Sequence, residues 1–153
     1  MNTVTLSPVL LELFNGQQLY AKQQLAMPLL TVNEDGYPHQ AMVSVGEVIA
    51  TDHKHLRLAL WEGTTTTGNI IRTGQALLTL VWQGVSYALR LSLTPLPALP
   101  EATYARARFV ATIEHIREDT AKYATLTSGI TIELHQAEDV LERWQQTLQE
   151  LLQ

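Results

Sequence analysis

Thr64, Thr65, Thr66 and Thr67, followed by Gly68 and Asn69, gather hydroxyl and amide side chains at one point of the chain. They follow the apolar run His55 to Trp61 and the pair Glu62-Gly63, and they precede Ile70-Ile71. If a helix begins here, its first backbone N–H groups have no partner inside it, and with the hydroxyls they form a cradle for an oxyanion or a phosphate. One Thr is enough for an N-cap, so the same text also reads as a cap with spare threonines. Elsewhere the sequence offers little chemistry. His39, His53, His55, His115 and His135 form no i, i+4 pair, so they read as surface histidines rather than a metal centre. Ser44 is not in a Gly-x-Ser-x-Gly elbow and does not read as a hydrolase nucleophile. Glu114, Glu118 and Asp119 read as the solvated face of a strand and its following turn.

The elements that must hold the threonines follow from local signals. Ser7-Pro8 before Val9, Leu10, Leu11, Leu13 and Phe14, with Gly16 behind, predicts a short capped helix acting as a lid or edge element. Ala26 to Val32, the turn Asn33 to Pro38 and a strand from Gln40 to Ile49 predict a hairpin with His39 and Gln40 opposite the end of the first strand. Leu56 to Trp61 then completes a three-stranded meander. After the threonines, Ile70, Ile71 and Gly74 close a helix of two or three turns. A second hairpin runs from Ala76 to Trp82, through Gln83-Gly84, and on from Val85 to Leu93. Pro95, Pro97 and Pro100 cannot donate to a ladder and mark a loop or strand end. Glu101 to Arg108 reads as a helical turn, and Phe109 to Arg117 and Ser128 to Leu134 as strands. Val140, Leu141, Trp144, Leu148, Leu151 and Leu152 lie on one face of a terminal helix. Six or so antiparallel strands with a helical tail predict a mainly β fold, a small closed or split β-barrel in a single domain over residues 1–153.

The chain of 153 residues carries 46% apolar and 16% charged residues and a formal net charge of −5. This is a globular composition without the clustered Lys and Arg that nucleic acid demands. Apolar stretches fall short of the ~20 residues needed to span a bilayer, and Met1 to Leu13 lacks a basic flank and a cleavage site. We therefore expect no nucleic-acid or membrane partner, and a cytoplasmic location. The absence of cysteine excludes disulfides, thiolate nucleophiles and Cys-ligated metals. A low charge density leaves apolar surface for a second copy to cover.

Taken together, Thr31-Val32-Asn33-Glu34-Asp35-Gly36-Tyr37-Pro38 leading into Gln40-Ala41-Met42-Val43-Ser44-Val45, and Leu56 to Ile70 through the threonines, resemble the FMN-binding split barrels typified by pyridoxamine 5′-phosphate oxidase. The likeness runs from about Leu29 to Trp144 and includes the region Ala76 to Leu91. It implies a homodimer with two flavin sites at the interface. The cofactor would be FMN, with its ring along Val43, Ser44 and Val45 and along Leu60, Trp61 and Glu62. Its phosphate would sit at Thr64, Thr65, Thr66, Thr67 and Asn69. The implied activity is that of an oxidoreductase of unassigned substrate, with no catalytic side chain singled out. Ser44 would bond a ring edge or pack in its strand, and Trp61 would border the flavin or serve as a core or interface residue. Trp82 and Tyr87 would form a far wall, from the same or from the partner subunit, and Trp144 would pack the helix. Many family members place Lys or Arg in the hydroxyl-rich turn, whereas Thr64 to Asn69 has none. A charge-assisted contact, about twice as strong as a neutral one, would have to come from Arg72, Lys54, Arg57 or Arg90. The alternative is a split barrel that has lost tight flavin binding and serves as an interaction module. The sequence does not separate FMN from a deazaflavin or a haem in the same groove.

Overall fold

The two strands that end the sheet are neighbours in sequence, and this one fact shapes the molecule. In the computed structural model, which describes residues 4–153, the strands are β1 (Met27–Val32), β2 (Pro38–Val43), β3 (Val48–Ala50), β4 (His55–Leu60), β5 (Gln75–Trp82), β6 (Val85–Pro95) and β7 (Ala107–Asp119). The reading of Met1 to Leu13 begins at residues 1–3, which lie outside the described residues. The seven strands form a single antiparallel sheet in the order β2-β1-β5-β6-β7-β4-β3. Only Ser44 to Glu47 link β2 to β3, so the two sheet edges lie no more than about 18 Å apart along the chain. The sheet must therefore curl into a split barrel.

Alternation sets what the barrel encloses. Leu56 and Leu58 on β4, Leu78 on β5, Leu89 on β6 and Ala111 and Ile113 on β7 are fully buried, with Leu29 of β1 among them. Each such leucine contributes roughly 1.5–3 kcal/mol of burial. Among the described residues four helices complete the fold: α1 (Pro8–Leu13), α2 (Leu19–Lys22), α3 (Thr65–Thr73) and α4 (Ala137–Leu151). The β1–β2 hairpin has the expected register, with Leu30 opposite Gln40 and Thr31 opposite His39. Gln83 and Gly84, both at positive φ, make the two-residue turn between β5 and β6.

Several expectations require correction. α1 has its cap, with the Ser7 hydroxyl accepting from the Leu10 N–H at 3.3 Å. It is a plug rather than a lid, because Leu10, Leu13 and Phe14 are buried in the core. The strand expected from Gln40 to Ile49 breaks at Ser44 to Glu47, where the Ser44 amide and hydroxyl bond the Glu47 carboxylate at 3.1 and 2.8 Å. The meander is thus two separate hairpins at opposite edges. Glu101 to Arg106 is irregular, since the Thr103 N–H is taken by the Glu150 carboxylate at 2.7 Å instead of by a helical carbonyl. The run Ser128 to Leu134 forms only a bridge between Thr131 and Leu25, because it meets the irregular end of the 24–26 segment and no strand. Leu152 lies past the end of α4 and is exposed.

Gly46 sits under α4. A Cβ placed there would lie 2.0 Å from the Trp144 ring. In the middle of α3, Gly68 has open space around it. Gly46→Ala is therefore expected to lower stability by about 1–3 kcal/mol through overpacking. Gly68→Ala is expected to raise it by about 0.5–1 kcal/mol through helix propensity. Urea unfolding of the two variants checks both signs.

Candidate functional site

The threonine turn folds as its spacing requires. Gly63 enters at φ +76, and Thr64 is the N-cap of α3, its hydroxyl accepting from the Thr67 N–H at 3.1 Å. The Thr67 hydroxyl donates to the Trp61 carbonyl at 2.7 Å and lies 3.1 Å from the Thr64 hydroxyl. Gly74 at φ +70 ends the helix. These bonds commit the side chains of Thr64 and Thr67 to the turn itself. Asn69 is committed as well: its amide donates to the Thr31 hydroxyl at 3.0 Å and to the Asn33 side chain at 2.9 Å. Its carbonyl oxygen accepts from Arg72 at 3.1 Å, and Arg72 also donates to the Val32 carbonyl. Asn69 and Arg72 thus pin α3 to β1. What remains at the start of α3 is the pair of N–H groups of Thr65 and Thr66, which precede Gly68, whose N–H is the first to find a helical acceptor, the Thr64 carbonyl. The Thr65 side chain is exposed and that of Thr66 is buried.

The strand residues of the expected site come together at the barrel seam in two groups. Val43, Ser44, Val45 and Leu60 are each 5% exposed or less, backbone and side chain together. Trp61, 55% exposed, and Glu62 stand at the surface just before the threonines. Ser44 binds Glu47 and Gly46 rather than standing free. Glu47 in turn ties the seam to β4, its carbonyl accepting from the Ala59 N–H at 3.0 Å. Burial pushes the Glu47 carboxyl above the usual glutamate range, against the pull of its Ser44 bonds and of Arg106 and Arg143.

The residue that the sequence did not reveal is Arg106. Its guanidinium carbon stacks 3.6 Å above the centre of the Trp61 ring, and its Nε–H is buried with no partner. Such a stack is a cation–π contact. Burial depresses its pKa, with Glu47 opposing and Arg143 adding to the fall. The only sequence signal was a base beyond three prolines, in a loop whose landing point no local rule specifies. The four arginines and lysines considered earlier go elsewhere. Arg72 holds the end of α3, Arg57 donates to the Leu151 carbonyl at 2.8 Å, and Lys54 is exposed in the β3–β4 turn. Arg90 lines a groove of ≈ 560 Å³ on the outer sheet face with Leu30, Val32, Leu77 and Glu114. Tyr87 is in the core, and Trp82 borders a pocket of ≈ 210 Å³ with Gly84 and Gly129, away from the threonines of its own chain. Trp144 packs against Gly46, as a structural tryptophan should.

Residues 17–146 match the family profile described as pyridoxamine 5′-phosphate oxidase. The chain belongs to this family. A curated relative, the uncharacterized protein YclD of Bacillus subtilis (strain 168), is 49% identical over 146 residues, covering 95% of each chain. Among solved structures, HupZ of Group A Streptococcus superposes with a TM-score of 0.57 at 17% identity, over 84% of this chain and 99% of that one. An FMN-binding protein from Syntrophomonas wolfei superposes with a TM-score of 0.51 at 16% identity, over 72% and 88%. At such identities the two structures share the fold with this chain. The family's split barrel is the architecture described above, with the threonine turn and the seam in adjoining positions.

Glu47 supplies a test of the seam. A carboxyl whose folded pKa is raised contributes stability that is full in acid and is lost as pH rises through that folded value. Glu47→Gln keeps an acceptor for Ser44 and removes the buried charge. Urea unfolding across a pH series is expected to show the variant at least as stable as the parent at neutral pH. Its loss of stability on raising pH above the ordinary glutamate range should also be smaller.

Proposed function

We propose that this chain is a flavin-binding member of its family, a homodimer of split barrels that holds FMN and works as an oxidoreductase on a small-molecule substrate in the cytoplasm. The observation that carries this reading is the exposed start of α3. Two N–H groups without a helical acceptor and the exposed Thr65 side chain lie there, a few residues after Trp61, in a chain of this family. That donor set fits a phosphate monoester held by neutral hydrogen bonds and the helix dipole. The S. wolfei protein of the same fold is an FMN-binding protein, which supports the choice of flavin.

In this reading the N–H groups of Thr65 and Thr66 and the Thr65 hydroxyl hold the phosphate. Thr64 and Thr67 shape the turn, and Asn69 fixes the helix against β1. The backbone of Val43, Ser44 and Val45 and of Leu60 borders the ring, with Trp61 and Glu62 at its rim. Arg106, stacked on Trp61, brings positive charge to that rim. A bound flavin supplies hydride acceptance, and the chain's residues bind and orient it and exclude water. The second copy would cover the outer sheet face, where Val32 and Met42 are exposed beside the ≈ 560 Å³ groove. Among the described residues no helix is long and apolar enough to cross a membrane.

A second reading, an interaction module without tight flavin binding, is favoured by one observation. Thr64 to Asn69 carries no base, and three of its side chains are spent on contacts within the protein. The two readings separate on loading the purified protein with excess FMN, desalting it and recording the visible spectrum beside that of Thr65→Asp. Retained flavin bands in the parent and their loss in the variant, with far-UV circular dichroism unchanged, are expected. A carboxylate at this position repels phosphate yet favours the helix. Equal retention by both proteins would move the phosphate elsewhere, and no retention by the parent would establish the second reading.

A further inference from the structure

The turn that closes the barrel holds a carboxyl firmly by one oxygen and leaves the other free. In Ser44-Val45-Gly46-Glu47 the Glu47 N–H donates to the Ser44 carbonyl at 3.2 Å, and the Glu47 carbonyl accepts from the Ala59 N–H of β4 at 3.0 Å. The side chain is fixed as well. Its Oε1 accepts from the Ser44 amide at 3.1 Å and from the Ser44 hydroxyl at 2.8 Å. Among the described residues Oε2 has no hydrogen-bond partner, and unlike the Nε atoms of Arg57, Arg106 and Arg108 it is not buried.

Residues 43–46 and Val48 are buried, and Glu47 between them is half-buried. The Ser44 amide and hydroxyl, the donors that a ligand along the seam would otherwise meet, are spent on Oε1. The polar atom that the turn presents is therefore Oε2 of Glu47. The charged groups that act on it are Arg106, beside the start of β7, and Arg143 of α4, while β4 meets the residue through the Ala59 N–H. Arg106 is acted on in turn by Glu150 and Tyr104. Burial outweighs the Ser44 bonds and both arginines and raises the carboxyl toward neutral pH. A proton on Oε2 leaves both bonds to Oε1 intact, so the group can change its charge without breaking the turn.

We propose that Glu47 is the proton acceptor of the flavin site: hydride transfer to a ring along Val43 to Val45 drives a proton from water onto its Oε2. This inference rests on the flavin reading above. The hydride carries two electrons and one proton from the small-molecule substrate, which leaves oxidised, and the ring gains one negative charge. A negative charge beside a carboxylate disfavours its ionised form. Glu47 then binds the second proton, and the net charge of the seam is restored. The guanidiniums of Arg106 and Arg143 are already protonated and cannot take this role.

The experiment follows the reduction potential of the FMN-loaded protein against pH by spectroelectrochemistry, in the parent and in Glu47→Gln, which keeps an acceptor for Ser44. The slope of potential against pH counts the protons bound on reduction, and the parent is expected to bind about one proton more per two electrons than the variant where Glu47 titrates. A carboxyl with only a structural role would leave the two slopes equal, and equal slopes would overturn the proposal. A second readout needs no variant. Reduction-induced infrared difference spectra of the parent should gain the C=O band of a protonated carboxyl, and absence of that band would also overturn it. A parent that retains no FMN after desalting would remove the flavin reading and this inference with it. Retained FMN with equal slopes would leave that reading standing and remove only the role of Glu47.

Discussion

Everything in this molecule depends on how the sheet closes. β2 and β3 lie at opposite ends of a seven-stranded sheet and yet are separated by four residues, so the barrel can neither open nor flatten without breaking the turn Ser44 to Glu47. Hydrogen bonds and packing hold that turn. The Ser44 amide and hydroxyl bind the Glu47 carboxylate, the Glu47 carbonyl receives the Ala59 N–H from β4, and Trp144 of α4 occupies the space that a side chain at Gly46 would need. The terminal helix is therefore part of the closure. Its own C-terminus is in turn held by Arg57 from β4 and Arg108 from β7.

The closed seam also decides what the candidate site can offer. Val43, Val45 and Leu60 are drawn inward into the core, and Ser44 is buried with them. Trp61, the first residue after β4, is pushed outward, where Arg106 covers one face of its ring. Four residues later α3 begins, anchored to β1 through Asn69. Anchoring fixes the first turn of α3, where the Thr65 and Thr66 N–H groups have no helical acceptor. A phosphate at this position would meet donors fixed before it arrives, which lowers the ordering cost of binding.

Much of this was legible in the sequence wherever a local rule governs the outcome. Ser7-Pro8, the turn Asn33 to Pro38, the threonine cluster with Gly74 behind it and the dipeptide Gln83-Gly84 each carry their own start or stop signal, and the elements begin and end there. The break at Ser44 was not legible. Val43, Ser44 and Val45 continue a strand pattern, and the demand for glycine at position 46 comes from Trp144, far along the chain. Ile130, Thr131 and Ile132 have strand composition but meet no strand to pair with beyond one bridge. Periodicity describes a residue's preference and not its partner. Arg106 was missed for the same reason, since its stack on Trp61 joins a proline-rich loop to a strand end through tertiary packing alone.

The central claim is that the start of α3 recognises the phosphate of a flavin. Its most direct test compares the affinity of the flavin-free protein for FMN with its affinity for riboflavin, the same ring and chain without the phosphate, by quenching of flavin fluorescence. The account predicts saturable binding of FMN and binding of riboflavin weaker by at least tenfold. Equal affinity for the two ligands, or no binding of either, would contradict it.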